Sequence, residues 1–114
     1  MASALEAIDD LNFDTEVLGS NLPFVLDFSA SWCAPCRALQ PILEGLAVEH
    51  RGRVRIGKID LDESPGVAAR LSVRGAPTLV LFEGGLERAR KLGFTSRQAV
   101  VSMIAGVASA RVDV

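Results

Sequence analysis

Two cysteines and one histidine in 114 residues are too few for several kinds of site. A structural zinc centre needs four ligands, and Cys33, Cys36 and the distant His50 supply half a site, so zinc would require a second copy of the chain. Basic residues are also sparse. Lys and Arg total 12 against 14 Asp and Glu, a formal net charge of −2, which gives no general attraction to a phosphate backbone or an anionic lipid surface. Neither nucleic acid nor membrane is an expected partner. No basic residue precedes Arg37, while Glu6, Asp9, Asp10, Asp14 and Glu16 crowd the amino terminus, the opposite of a cationic export signal. The longest uncharged apolar run, Gln98 to Ala110, has 13 residues, short of the roughly 20 that a membrane-spanning helix needs. A cytoplasmic protein is the expectation. Repeats, linkers and low-complexity segments are missing too, and 114 residues at 49% hydrophobic suffice for one domain, residues 1–114, but not for two.

What is present centres on Ser31-Trp32-Cys33-Ala34-Pro35-Cys36-Arg37, which holds both cysteines. In a reducing compartment a close cysteine pair points to redox catalysis or metal rather than to a structural staple. A disulfide closing so short a loop is worth roughly 2 kcal/mol in the chain-entropy account, against about 3 for a 15-residue loop. The apolar, β-prone run Phe24-Val25-Leu26-Asp27-Phe28 precedes the pair, and helical periodicity follows from Leu39. Cys33 therefore falls near a helix start, with Cys36 one turn inside. A thiol there meets unpaired backbone N–H groups and the positive end of the helix dipole, both of which favour thiolate. Cys33 is the expected nucleophile.

Taken in order, the chain alternates strands and helices. A short strand over Ala4 to Ile8 is followed by a helix over Leu11 to Leu18, capped by Asp9 or Asp10 and ended by Gly19. After the Phe24–Phe28 strand, Leu39, Ile42, Leu43, Leu46 and Ala47 mark an amphipathic helix from Ala34 to about Arg51 that Pro41 should bend. His50 near its end is expected to cap or pack. Val54, Ile56 and Ile59 form a strand ending near Asp60. Asp60-Leu61-Asp62-Glu63 lacks the glycine and glutamate of a calcium loop and reads as a solvated strand end. Ser64-Pro65 predicts a hydroxyl-capped short helix to Leu71. Thr78–Phe82 and Leu86–Leu92 flank Gly84-Gly85 as a hairpin. Thr95-Ser96-Arg97-Gln98 matches a capping box before a helix with Val100, Ile104, Val107 and Ala108 on its buried face.

An acid between Leu26 and Phe28 on a buried strand is costly unless partnered or used, which makes Asp27 a candidate functional group and Lys58, on the next strand, its candidate partner. A solvated Lys58 is the competing reading. Trp32 beside a reactive thiol is expected to shield it and shape a contact surface.

Trp32-Cys33-Ala34-Pro35-Cys36, Asp27, Lys58, Gly75-Ala76-Pro77-Thr78 and Gly93 together resemble the thioredoxin family, over about Ile8 to Val107. The resemblance implies an α/β thioredoxin fold: a central mixed sheet of about five strands flanked by about four helices, with Pro77 in a cis bond facing the cysteines. It implies thiol–disulfide exchange in which Cys33 attacks a protein disulfide, Cys36 resolves the mixed disulfide and Asp27 accepts the Cys36 proton. Trp32, Ala34, Pro35, Ala76, Pro77 and Gly93 would contact substrate. No cofactor would be bound; electrons would come from NADPH through a separate thioredoxin reductase, which with disulfide-containing clients makes up the implied partners of a monomer. Two positions depart from the usual pattern: Ala34 replaces a glycine, which favours a more ordered helix start, and Arg37 replaces a lysine and keeps its charge. A disulfide oxidase or isomerase is the rival within this chemistry, disfavoured by the acidic amino terminus and by the lack of a histidine between the cysteines. An assembly module built on the surface around Trp32, Pro77 and Gly93 is the rival outside it.

Overall fold

The computed structural model describes residues 3–112. Five strands make one mixed sheet in the order β1-β3-β2-β4-β5: β1 (Glu6–Ile8), β2 (Phe24–Ser29), β3 (Arg55–Asp60), β4 (Thr78–Glu83) and β5 (Leu86–Leu92). The first three are parallel, and β4 and β5 are antiparallel additions. Three α-helices, α1 (Ala34–Glu49), α2 (Pro65–Arg70) and α3 (Arg97–Val112), cover the sheet. The helix expected over Leu11–Leu18 is a single wide π turn, Asp14–Leu18. Asp9 starts that segment as expected, its carboxylate accepting the N–H groups of Leu11 and Asn12 at 2.8 and 2.9 Å.

β2 is buried at every position, the sign of a central strand covered on both faces. Its alternation divides the core. Val25 points to the face under α1 and α3, with Leu39, Leu43, Ile56, Leu79, Val100 and Ile104. Phe24, Leu26 and Phe28 point the other way, onto Phe13, Val17, Val67 and Phe82. Asp27 and Ser29 share the face of Val25. Val107 is buried on α3 as expected; the side chain of Ala108 lies outside the described residues.

Two helix starts differ from expectation. Ser64 makes no side-chain cap on α2; instead Asp10 reaches across and accepts the N–H groups of Gly66 and Val67 at 3.0 and 2.8 Å. On α3 the capping hydroxyl is that of Ser96, which accepts the Ala99 N–H at 3.1 Å, one residue after the Thr95 of the proposed box. A carboxylate is a stronger acceptor than a hydroxyl and complements the helix dipole, so the distant Asp10 displaces the local serine. The β4–β5 hairpin turns through Gly84 and Gly85, both at positive φ (60° and 82°), the backbone of a two-residue primed turn.

β1 and β2 pack tightly around Gly57 on the intervening β3. A Cβ there would lie 2.9 Å from the Glu6 carbonyl oxygen and 2.9 Å from the Phe24 ring. Gly57→Ala is expected to destabilise the protein by about 1–3 kcal/mol, the usual range for overpacking a filled core. A lower urea midpoint at unchanged m-value would register it; an unaltered midpoint would mean that β1 yields freely.

Candidate active site

The carboxyl end of β2 delivers the cysteines. Cys33 is the N-cap of α1, and its Sγ accepts the backbone N–H of Cys36 at 3.2 Å. The two sulfurs are joined in a disulfide, with Cα atoms 5.3 Å apart. Arg37 closes the approach by donating to the Ser31 carbonyl at 3.0 Å, and Pro41 lies inside α1 without ending it. His50 caps the far end, a ring nitrogen 2.9 Å from the Leu46 carbonyl.

Exposure does not separate the two cysteines. In this disulfide form Cys33 is 3% and Cys36 2% exposed, although the sequence places only Cys36 inside the helix. The pair sits flush in the surface, packed with Ala30 and, from a turn far along the chain, Ala76. Their polar surroundings do separate them: Cys33 receives a backbone donor, whereas Cys36 lines a cavity of about 320 Å³ with Ser29, Arg37, Gln40, Lys58 and Asp60.

The Ala76–Pro77 bond is cis, as the resemblance implied. Its turn is held by Thr78 Oγ1 donating to the Gly75 carbonyl at 2.7 Å and by the Gly93 N–H donating to the Pro77 carbonyl at 2.8 Å. Gly93 adopts φ 80°, which an L side chain resists. Leu92 and Phe94 on either side of it are exposed, as is Trp32 at 64%. The Trp32 Nε1–H donates to Asp62 at 2.8 Å, so the acidic Asp60–Glu63 stretch is more than a solvated strand end: it orients the indole.

Asp27 is fully buried, and neither carboxylate oxygen has a hydrogen-bond partner. Burial lifts its pKa from 3.8 to about 7, with the nearby Lys58 ammonium pulling it part of the way back. Lys58 stands opposite Asp27 in the β2–β3 register, yet its ammonium donates to Gln40 Oε1 at 2.7 Å. It therefore acts on Asp27 through space, with no hydrogen bond to it. Gln40 was missed because a glutamine on a helix carries no signal without its neighbours. Among the described residues no cluster of three or more His, Cys, Asp or Glu side chains could hold a metal ion, and no helix is long and apolar enough to cross a membrane.

A thioredoxin family model matches residues 4–106. The chain belongs to the thioredoxin family. It is similar to a thioredoxin of Acidithiobacillus ferridurans, 38% identical over 91% of this chain and 96% of that protein. It is similar also to a thioredoxin of Rickettsia felis, 35% identical over 85% and 92%, and to thioredoxin 1 of a Nostoc species, 40% identical over 73% and 78%. The five-stranded mixed sheet with its helices is the thioredoxin fold. The thioredoxins are thiol–disulfide oxidoreductases, and the Cys33–Cys36 disulfide gives this chain that chemistry.

Proposed function

We propose that the protein reduces disulfides in protein substrates, with Cys33 as nucleophile, Cys36 as resolving thiol and Asp27 as acceptor of the Cys36 proton. The hydrogen bond from the Cys36 N–H to Cys33 Sγ supports this above all. Together with the helix dipole it stabilises negative charge on Cys33. The Cys33 thiolate attacks one sulfur of the substrate disulfide; that S–S bond breaks, the other substrate sulfur leaves as thiolate, and a mixed disulfide forms. Cys36, which borders the cavity, then gives its proton to Asp27, buried on the strand face that it shares with the cavity-lining Ser29. Its thiolate attacks Cys33 Sγ and the second substrate sulfur departs. Two electrons have passed to the substrate, and Cys33–Cys36 is oxidised. Lys58 tempers the proton affinity of Asp27.

Trp32, Ala34, Pro35, Ala76, Pro77 and Gly93 make the docking surface, and the exposed apolar groups of Trp32, Leu92 and Phe94 suit a macromolecular client better than a small polar thiol. A separate thioredoxin reductase, carrying electrons from NADPH, returns the disulfide to dithiol, and the chain binds no nucleotide itself. The work is that of a cytoplasmic monomer. Insulin reduction coupled to NADPH and reductase tests the assignment. Wild type should sustain NADPH consumption and the Cys33→Ser/Cys36→Ser variant should not. A wild-type protein that is inert, or a double variant that keeps its cellular role, would favour an assembly module instead.

A further inference from the structure

We propose that Gln40 is a positioning residue for the resolving half of the reaction: by accepting the Lys58 ammonium it holds that charge in the wall of the Cys36 cavity and off the Asp27 carboxylate. The catalytic part of this inference rests on Asp27 acting as proton acceptor; the electrostatic part does not.

Asp27 and Lys58 are register partners on adjacent strands, with side chains on one face. An unopposed lysine so placed would turn to a carboxylate that has no other partner, because a buried charge is stabilised most by a bonded counter-ion. The observed arrangement is different. Lys58 Nζ donates to Gln40 Oε1 at 2.7 Å and both Asp27 oxygens stay unpartnered. Gln40 is itself fixed: its amide donates to Glu44 one turn on at 3.2 Å, and Glu44 accepts the Ser3 hydroxyl at 2.7 Å. Four residues after Cys36, Gln40 lies on the same side of α1.

The Lys58–Gln40 bridge also stands between two hollows. One, of about 320 Å³, contains Cys36; the other, of about 330 Å³, opens beside Glu6 and Ile8 of β1. Gln40, Lys58 and Asp60 border both. Other charged groups on the Asp27 side of the sheet are few. β3 presents Lys58 and Asp60, α1 presents Cys36, Arg37 and Glu44, and Lys91 on β5 is separated from Asp27 by Leu79 of β4. α3 presents Val100 and Ile104. Lys58 is thus the one cation among them opposite Asp27 in the strand register, and its direction sets the field there. Held by Gln40, it leaves Asp27 with a proton affinity near neutrality, suited to take a proton from Cys36 and release it later. Turned onto Asp27, it would stabilise the carboxylate and weaken it as a base.

The test is the titration of the Asp27 carboxyl carbon, followed by NMR of ¹³C-aspartate-labelled oxidised protein, beside the pH profile of mixed-disulfide resolution. Gln40→Leu should lower the Asp27 midpoint by about one pH unit, the low end of what a close opposite charge produces, and slow resolution. Gln40→Glu keeps an acceptor for Lys58, so its midpoint should stay at or above that of wild type. Lys58→Met should raise the midpoint to the same value with or without Gln40→Leu, because without the ammonium Gln40 has nothing to position. An unmoved midpoint in Gln40→Leu would overturn the inference and leave the reaction assigned above intact. A midpoint that moves while the resolution profile does not would remove Asp27 as the acceptor, and the catalytic half of the inference with it.

Discussion

Cys36→Ser is expected to lower turnover by more than about a thousandfold, as removal of one member of a catalytic unit does, and to leave clients attached to Cys33 as stable mixed disulfides. The donor that stabilises the Cys33 thiolate is the backbone N–H of residue 36, which the substitution keeps, so the first attack should proceed almost unimpaired. Only the second fails, because a serine hydroxyl neither ionises near neutrality nor displaces a sulfur. Cys33→Ser should capture nothing, and the double variant should be no slower than Cys33→Ser alone. Gel-resolved adducts that disappear on adding reductant, with peptide mapping of the linked residue, read the result. Adducts on Cys36 in Cys33→Ser, and none on Cys33 in Cys36→Ser, would reverse the two roles.

Asp27→Asn should stabilise the protein increasingly as pH rises. The native carboxyl titrates at about 7 rather than 3.8, so between those values the unfolded chain has lost a proton that the folded one still holds, and stability falls with rising pH. Below about pH 3, a unit under the unfolded value of 3.8, both states are neutral at this position, and the asparagine variant should match wild type. Above pH 7 the wild type carries a buried charge without a hydrogen bond, at a cost of about 4 kcal/mol, from about 1.4 kcal/mol per pH unit. Denaturant midpoints at pH 4, 6 and 8 should therefore diverge progressively, while turnover of the variant near neutrality falls because an amide accepts no proton. A stability difference that does not change between pH 4 and 8 would mean that Asp27 ionises in the fold as it does in water.

Much of this architecture is legible in the chain because its signals are local. Phe24–Phe28 has one polar residue in five, and Gly84-Gly85 sits as a turn signal between the β-prone Thr78–Phe82 and Leu86–Leu92; both give the strands that form. The cysteine spacing gives the helix start. What the sequence conceals depends on meetings between distant segments. Ser64 has every local qualification for a cap and loses the role to Asp10. Lys58 is in register with Asp27 but bonds a glutamine from the opposing helix. Asp62 looks like one acid among several until the fold brings Trp32 to it. The equal burial of Cys33 and Cys36 follows from the arrival of Ala76 beside them, which no spacing near the cysteines announces.

The clamp of Asp10 on Gly66 and Val67 bears on the order in which the molecule assembles. α2 has six residues, far fewer than an isolated helix needs to persist, and its first turn is completed by a carboxylate from the opposite half of the chain. It is therefore expected to form late, after the amino-terminal segment has docked on the sheet, and to be given up when that segment lifts. The amide protons of Gly66 and Val67 should keep time for a stretch of chain to which they do not belong: their exchange with solvent is expected to follow the opening of the amino terminus rather than the fraying of their own helix.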